Sequence, residues 1–164
     1  MATTLENIQL LLEQFPSLFQ SVTIASIKDQ KTPYSSYAPF VMANSTIYIL
    51  ISTIAQHYKN IVDNPTINIM MIEDEKSTKN IFFRRRLSYL TSCQKVDDKH
   101  IADLFIDKFG EMAELLFSMD FVMMECTIIN GNFIVGPGQA YHIDQENQVH
   151  KQMTGTGGHG HRKS

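Results

Sequence analysis

A small, mainly β fold of the α+β type, built as an antiparallel barrel, is what this sequence predicts. Three observations carry that prediction. Short runs rich in β-branched and aromatic residues recur along the chain, brief polar turns separate the early ones, and helical spacing is confined to a few segments. At 164 residues the chain suits one compact domain that buries a core.

Leu5, Ile8, Leu11, Leu12 and Phe15 stand at helical spacing, and Pro16 ends that run. Ser21 to Ile27 alternates weakly and is rich in β-branched types. Lys28-Asp29-Gln30-Lys31 makes a polar turn into a second strand, PYSSYAPFVMA. Ala43-Asn44-Ser45 turns again, and a third strand follows with Ile47, Ile49 and Ile51 on one face and Tyr48 and Leu50 on the other. Together these form an antiparallel meander. Ile54 to Val62 returns to helical spacing until Asp63-Asn64-Pro65, INIMMIE is a buried strand, and Glu73 to Lys79 is a charged loop. Phe83 to Val96 reads as a long strand with Leu87, Tyr89, Thr91 and Cys93 on one face. Asp97-Asp98 caps one helix whose apolar stripe runs from Ile101 through Leu104, Phe105, Phe109 and Met112 to Leu115 and Leu116. Two more strands, Phe121–Ile129 and Phe133–Val135, are expected to meet in a hairpin at Asn130-Gly131. After Tyr141 the apolar pattern fades. The barrel domain is therefore expected over 1–145, with a flexible His/Gly-rich tail over 146–164.

Composition narrows the function classes. A net charge of −3, with 43% apolar and 19% charged residues, argues against a disordered chain and against a surface built for nucleic acid. Thr32 to Gln56 carries no charge and is long enough to span a bilayer, but Pro33, Pro39 and its polar clusters argue against a membrane helix. The first residues lack the basic leader and apolar run of a signal peptide. Cys93 and Cys126 have no C-x-x-C spacing and read as two buried, reduced thiols of a cytoplasmic protein, with a disulfide as the alternative.

Four groups carry potential chemistry. In GGHGH, His159 and His161 offer imidazoles for zinc, copper, nickel or haem iron, and the glycines let the backbone wrap closely around a ligand; a tail that binds nothing specific is the alternative. Arg84, Arg85 and Arg86 open the long strand, so alternate guanidiniums are expected on opposite faces, bound to phosphate or carboxylate, or paired with Glu73, Asp74 or Glu75. His57 and Lys59, two apart on a helix, point in different directions, so one could reach a ligand while the other stays in solvent; a structural or solvated His57 is the alternative. Asp120 sits where a helix gives way to a strand, either solvated or placed to hydrogen-bond a metal-bound histidine. No triad order, nucleophile elbow, phosphate loop or dinucleotide fingerprint is present.

The ordered blocks SIKDQKTPYSSYAPFV, IYILISTIAQHYKNI, NPTINIMMIEDE, NIFFRRRLSY, KFGEMAELLFSMDF and GPGQAY resemble the bacterial haem-utilisation (HugZ-type) family of the pyridoxamine 5′-phosphate oxidase-like, FMN-binding split-barrel superfamily. The resemblance runs over about residues 5–143, and Pro137 departs from it where the family commonly has an aromatic residue. It implies a six-stranded split barrel that dimerises, with two equivalent sites at the subunit interface. It also implies binding of haem and its opening, with oxygen and electrons from a reductase or small reductant, to a biliverdin-like product and iron. In that scheme His159 or His161 ligates the iron, Asp120 supports that histidine across the dimer, and Arg84 to Arg86 pair with a haem propionate. No nucleic acid or membrane partner is implied. FMN is the alternative cofactor, with Lys59 and Arg85 on its phosphate, and a haem carrier without turnover or a metal-storing scaffold are further alternatives.

Overall fold

The computed structural model describes residues 4–152. Helix α1 spans Leu5–Gln14, capped by the Thr4 hydroxyl, and a 3-10 turn at Phe15–Leu18 carries Pro16 in its first turn, where a missing N–H costs nothing. Strands β1 (Ser21–Lys28), β2 (Thr32–Ala43) and β3 (Thr46–Ser52) form the expected meander. Asn44 and Ser45, at φ 51° and 59°, make the two-residue turn between β2 and β3, since left-handed backbone matches the strand twist. Helix α2 (Gln56–Asp63), β4 (Thr66–Ile72), β5 (Arg86–Val96), α3 (Lys99–Phe109), α4 (Glu111–Phe117), β6 (Phe121–Gly136), β7 (Gln139–Ile143) and β8 (Val149–Gln152) complete the order.

The sheet runs β3-β2-β1-β4-β5-β6-β7-β8, and β3 also pairs with β6. That extra pairing closes six strands into an antiparallel barrel and leaves β7 and β8 as an extension. β6 is long enough to serve both parts: residues 121–126 pair with β3, and residues 131–136 pair with β7. The main core fills the barrel with Ile24, Phe40, Ile47, Ile49, Ile69, Leu87, Tyr89 and Phe133, and α1 adds Ile8 and Leu12. A second core under α3 and α4 gathers Val41, Tyr48, Leu50, Ile101, Phe105 and Met123. Both faces of β3 are thus buried, which its apolar run TIYILIS allows.

Three expectations need correction. Asn130-Gly131 is no hairpin: it lies inside β6, where a bulge leaves Ile129 without a partner opposite Leu90 and Thr91. A Cβ on Gly131 would stand 2.6 Å from the Ser88 carbonyl oxygen and 2.8 Å from the Tyr89 ring, so close packing of Tyr89 requires glycine there. The turn instead falls at Pro137-Gly138, with Gly138 at φ 67°. The single helix after Asp98 breaks in two at Gly110, whose φ of 73° ends α3. Finally, β5 begins at Arg86; residues 81–83 form a 3-10 turn, so Arg84 and Arg85 precede the strand and do not alternate along it.

Candidate functional site

The arginines lie where the charged loop returns to the barrel. Arg84 donates from Nε to the Glu73 carbonyl oxygen at 2.9 Å and from Nη1 to the exposed Glu75 carboxylate at 3.4 Å. Arg85 faces the Glu73 carboxylate at 3.3 Å and lies 5.7 Å above the Phe15 ring. Arg86 donates to the Arg84 carbonyl oxygen at 3.3 Å. Burial pushes the Glu73 carboxyl up, but the Arg85 N–H, its charge and its side chain, with Thr78, bring it below the ordinary value on balance. The ion pairs with Glu73 and Glu75 are therefore formed within one chain. All three guanidiniums remain partly exposed.

Apolar surface accompanies this charge. Phe82 is 83% exposed and Phe83 43%, both on the 3-10 turn before the arginines. A cavity of about 670 Å³ is lined by Phe83, Arg85, Lys79, Asn80, Val135 and Pro137, among others. Residues 73–86 carry five cations (Lys76, Lys79, Arg84, Arg85, Arg86) against three carboxylates (Glu73, Asp74, Glu75). Such a corner suits a ligand with an apolar body and an anionic edge. The sequence reading placed Phe83 in a strand and missed both phenylalanines as surface groups. Their place beside Lys79-Asn80, in a polar loop, was the available signal.

Asp120 occupies the opposite end of β6. The Ser52 hydroxyl donates to its carboxylate, and Thr53 N–H donates to its carbonyl oxygen at 2.9 Å. These bonds tie the end of β3 to the start of β6 and leave Asp120 partly buried. Ser52 was not legible as a partner, because only strand register brings residues 52 and 120 together. His57, in the first turn of α2, is half-buried, with Nδ1 2.9 Å from the Ser36 hydroxyl of β2, and burial lowers its pKa. Lys59 is exposed on α2, beside a hollow of about 390 Å³ lined by Thr53, Gln56, Tyr58 and Val62.

The structure brings Arg84, Arg85 and Arg86 together, and separately ties Asp120 to Ser52 and Thr53 at the end of β3. It does not bring the two groups together within one chain. Arg86 pairs with Ile134, thirteen residues beyond Phe121, which is roughly 40 Å along the strand at about 3.3 Å per residue. His159 and His161 lie outside the described residues. Among the described residues, no set of three His, Cys, Asp or Glu side chains is arranged to hold a metal, and no helix is long and apolar enough to cross a membrane.

Comparison with known proteins fits this geometry. The family profile described as pyridoxamine 5′-phosphate oxidase matches residues 10–124. Heme oxygenase HutZ of Vibrio cholerae is 34% identical over 144 residues, covering 84% of this chain and 82% of its own. The crystal structure of Campylobacter jejuni ChuZ superposes with a TM-score of 0.80 at 31% identity, over 89% of this chain and 63% of the ChuZ chain. This chain thus spans less than two thirds of ChuZ. The crystal structure of Vibrio cholerae HutZ, described there as a heme storage protein, gives 0.67 at 31% identity, over 70% of this chain and 85% of its own. The chain therefore belongs to the pyridoxamine 5′-phosphate oxidase-like split-barrel superfamily and, within it, to the haem-utilisation family that includes HutZ and ChuZ.

Proposed function

We propose that this protein binds haem in the cytoplasm and, with oxygen and electrons from a reductase or small reductant, opens it to a biliverdin-like product and iron. The observation that carries the reading is the 34% identity, over most of both chains, to a protein named heme oxygenase. The residues present fit the molecule. Haem is a broad apolar plate with two carboxylates on one edge, and the arginine corner joins exposed Phe82 and Phe83 to an excess of cations.

Each residue then has a task. Arg84, Arg85 and Arg86 orient the plate by pairing with propionates, Arg85 exchanging part of its bonding to Glu73 for the ligand. Phe82 and Phe83 cover apolar surface and exclude water. His159 or His161 would ligate the iron, and Asp120 would accept the other N–H of that imidazole, holding its orientation and basicity. The distance between Asp120 and the arginines within one chain supports two copies per assembly, each pair of sites drawing on both chains. Bound haem supplies the redox and oxygen chemistry; the protein supplies orientation, ligation and a dry pocket.

A second reading has one observation in its favour. Lys59 is exposed beside a hollow at the start of α2, a placement suited to the phosphate of FMN. In that case the protein is yellow as purified, and the tail histidines are without a task.

The test is a hemin titration of the full chain and of a chain ending at Met153, followed by ascorbate under air. The account expects a sharp Soret band with the full chain, its loss with growth of a biliverdin-like absorbance after ascorbate, and failure of both in the shortened chain. A stable Soret band in both chains points to a carrier ligated elsewhere. Absence of specific hemin uptake would falsify the haem reading.

A further inference from the structure

Cys93 and Cys126 take no part in the site described above, yet their arrangement is specific. They are direct partners across the β5–β6 ladder. The Cys93 N–H donates to the Pro65 carbonyl oxygen at 2.9 Å, toward β4. In an antiparallel strand the N–H and C=O of one residue point the same way, so Cys93 makes no backbone bond to Cys126. The pair is therefore of the narrow, non-hydrogen-bonded kind, with Cα atoms ~4.5 Å apart and side chains closest. A disulfide needs Cα atoms about 4.4–6.8 Å apart, a range that includes this spacing. Both side chains point into the barrel core, where Cys126 is fully buried and Cys93 keeps 6% of its surface. Their sulfurs lie 2.7 Å apart as free thiols.

We propose that this pair is a redox site: hydrogen peroxide converts Cys93 and Cys126 into a cross-strand disulfide within one chain, and a dithiol reductant reopens it. The balance is simple. The Cys93 thiolate attacks one peroxide oxygen, the O–O bond breaks, and hydroxide leaves with the proton the thiol gave up, as water. The Cys126 sulfur then attacks the Cys93 sulfenic acid, the S–O bond breaks, and a second water leaves as the S–S bond forms. Two thiols are oxidised and one peroxide is reduced to two waters.

The surroundings assign the order of events. The hydrogen bond between the two thiols lowers the Cys93 pKa, and Thr91 Oγ1 lies 3.5 Å from the same sulfur. Burial, with the neighbouring Cys93 and Glu125, raises Cys126 well above the ordinary thiol value. Cys93 keeps the residual exposure and is the sulfur that peroxide reaches first, and the fully buried Cys126 is the resolving partner. The bond would staple β5 to β6 around the segment that holds α3 and α4, joining the strand that begins at Arg86 to the strand that follows Asp120.

The experiment uses the purified full chain without hemin, treated with hydrogen peroxide and then alkylated. The expected result is loss of both free thiols, a mass lower by two hydrogens, a linked peptide carrying Cys93 and Cys126, and full reversal by dithiothreitol. With Cys126→Ser, a dione probe is expected to trap a sulfenic acid at Cys93; with Cys93→Ser, Cys126 stays unlabelled. Retention of both thiols under peroxide, links between two chains, or sulfinic acid at Cys93 with no linked peptide would overturn the proposal. The wild-type peptide map decides the matter even if a variant fails to fold.

Discussion

The arginine corner and the Asp120 corner stand at opposite ends of β6 and handle charge in opposite ways. Around Arg84 and Arg85 the guanidiniums share the carbonyl and carboxylate of one residue, Glu73, at 2.9–3.4 Å, next to exposed phenylalanines. Around Asp120 a single carboxylate is held by Ser52 and its backbone by Thr53, in a junction that also fastens the barrel. The first corner has cations in excess and bonds that a ligand carboxylate can replace. The second has one acid with a fixed orientation. Binding strength should therefore reside at the arginines, and ligand tuning at Asp120.

The largest effect tests the strand that joins the corners. Gly131→Ala drives a methyl group into the Ser88 carbonyl and the Tyr89 ring, and the backbone carbonyl cannot swing aside. A loss of about 3 kcal/mol is expected in urea unfolding. Next come the corners themselves. Arg85→Ala is expected to weaken hemin binding by about tenfold through loss of a charge-assisted contact. Asp120→Asn should leave affinity within about twofold, while shifting the Soret band and slowing turnover. Equal losses of affinity at both positions would erase the contrast. Glu73→Gln frees Arg85 from its competing carboxylate, so hemin affinity is expected to rise by roughly threefold with a small loss of stability, because a part-exposed ion pair contributes ~1 kcal/mol or less.

The smallest effect concerns pH. Burial lowers the His57 pKa, so below its ordinary value of 6.5 the unfolded chain takes up a proton before the folded one does. Stability should fall as pH drops through that value, and His57→Gln should lose that part of the slope. Glu73 works on the acid side: its folded pKa lies below the ordinary carboxylate value, so its contribution is present above that value and disappears as pH falls through the folded one. Urea midpoints measured across the two ranges separate the contributions.

Much of the barrel was legible because its strands carry their own signals. Ile47, Ile49 and Ile51 alternate with Tyr48 and Leu50, and each set entered its own core. Leu87, Tyr89, Thr91 and Cys93 share the buried face they were expected to share. Errors arose where a local signal met a tertiary demand. Asn130-Gly131 has the composition of a turn, but its glycine was needed beneath Tyr89. The helical stripe after Asp98 passes through Gly110 without losing its spacing, so periodicity concealed the break. Arg84 and Arg85 stand ahead of β5 bound to Glu73, eleven and twelve residues away, and no local signal links those positions. The candidate site was legible only as residue types. That the arginines and Asp120 stand at opposite ends of one strand followed from register, which no spacing in the sequence discloses.

The central claim is that one haem site draws its tail histidine and its aspartate from different chains. Two differently tagged forms, one carrying Asp120→Asn with the whole tail and the other ending at Met153, are to be co-expressed, the mixed assembly isolated, and hemin turnover measured with ascorbate under air. Each form alone should be slow, and the mixed assembly, with one of its two sites complete, is predicted to recover about half the wild-type rate. A mixed assembly no faster than the mean of its two parents would contradict the account.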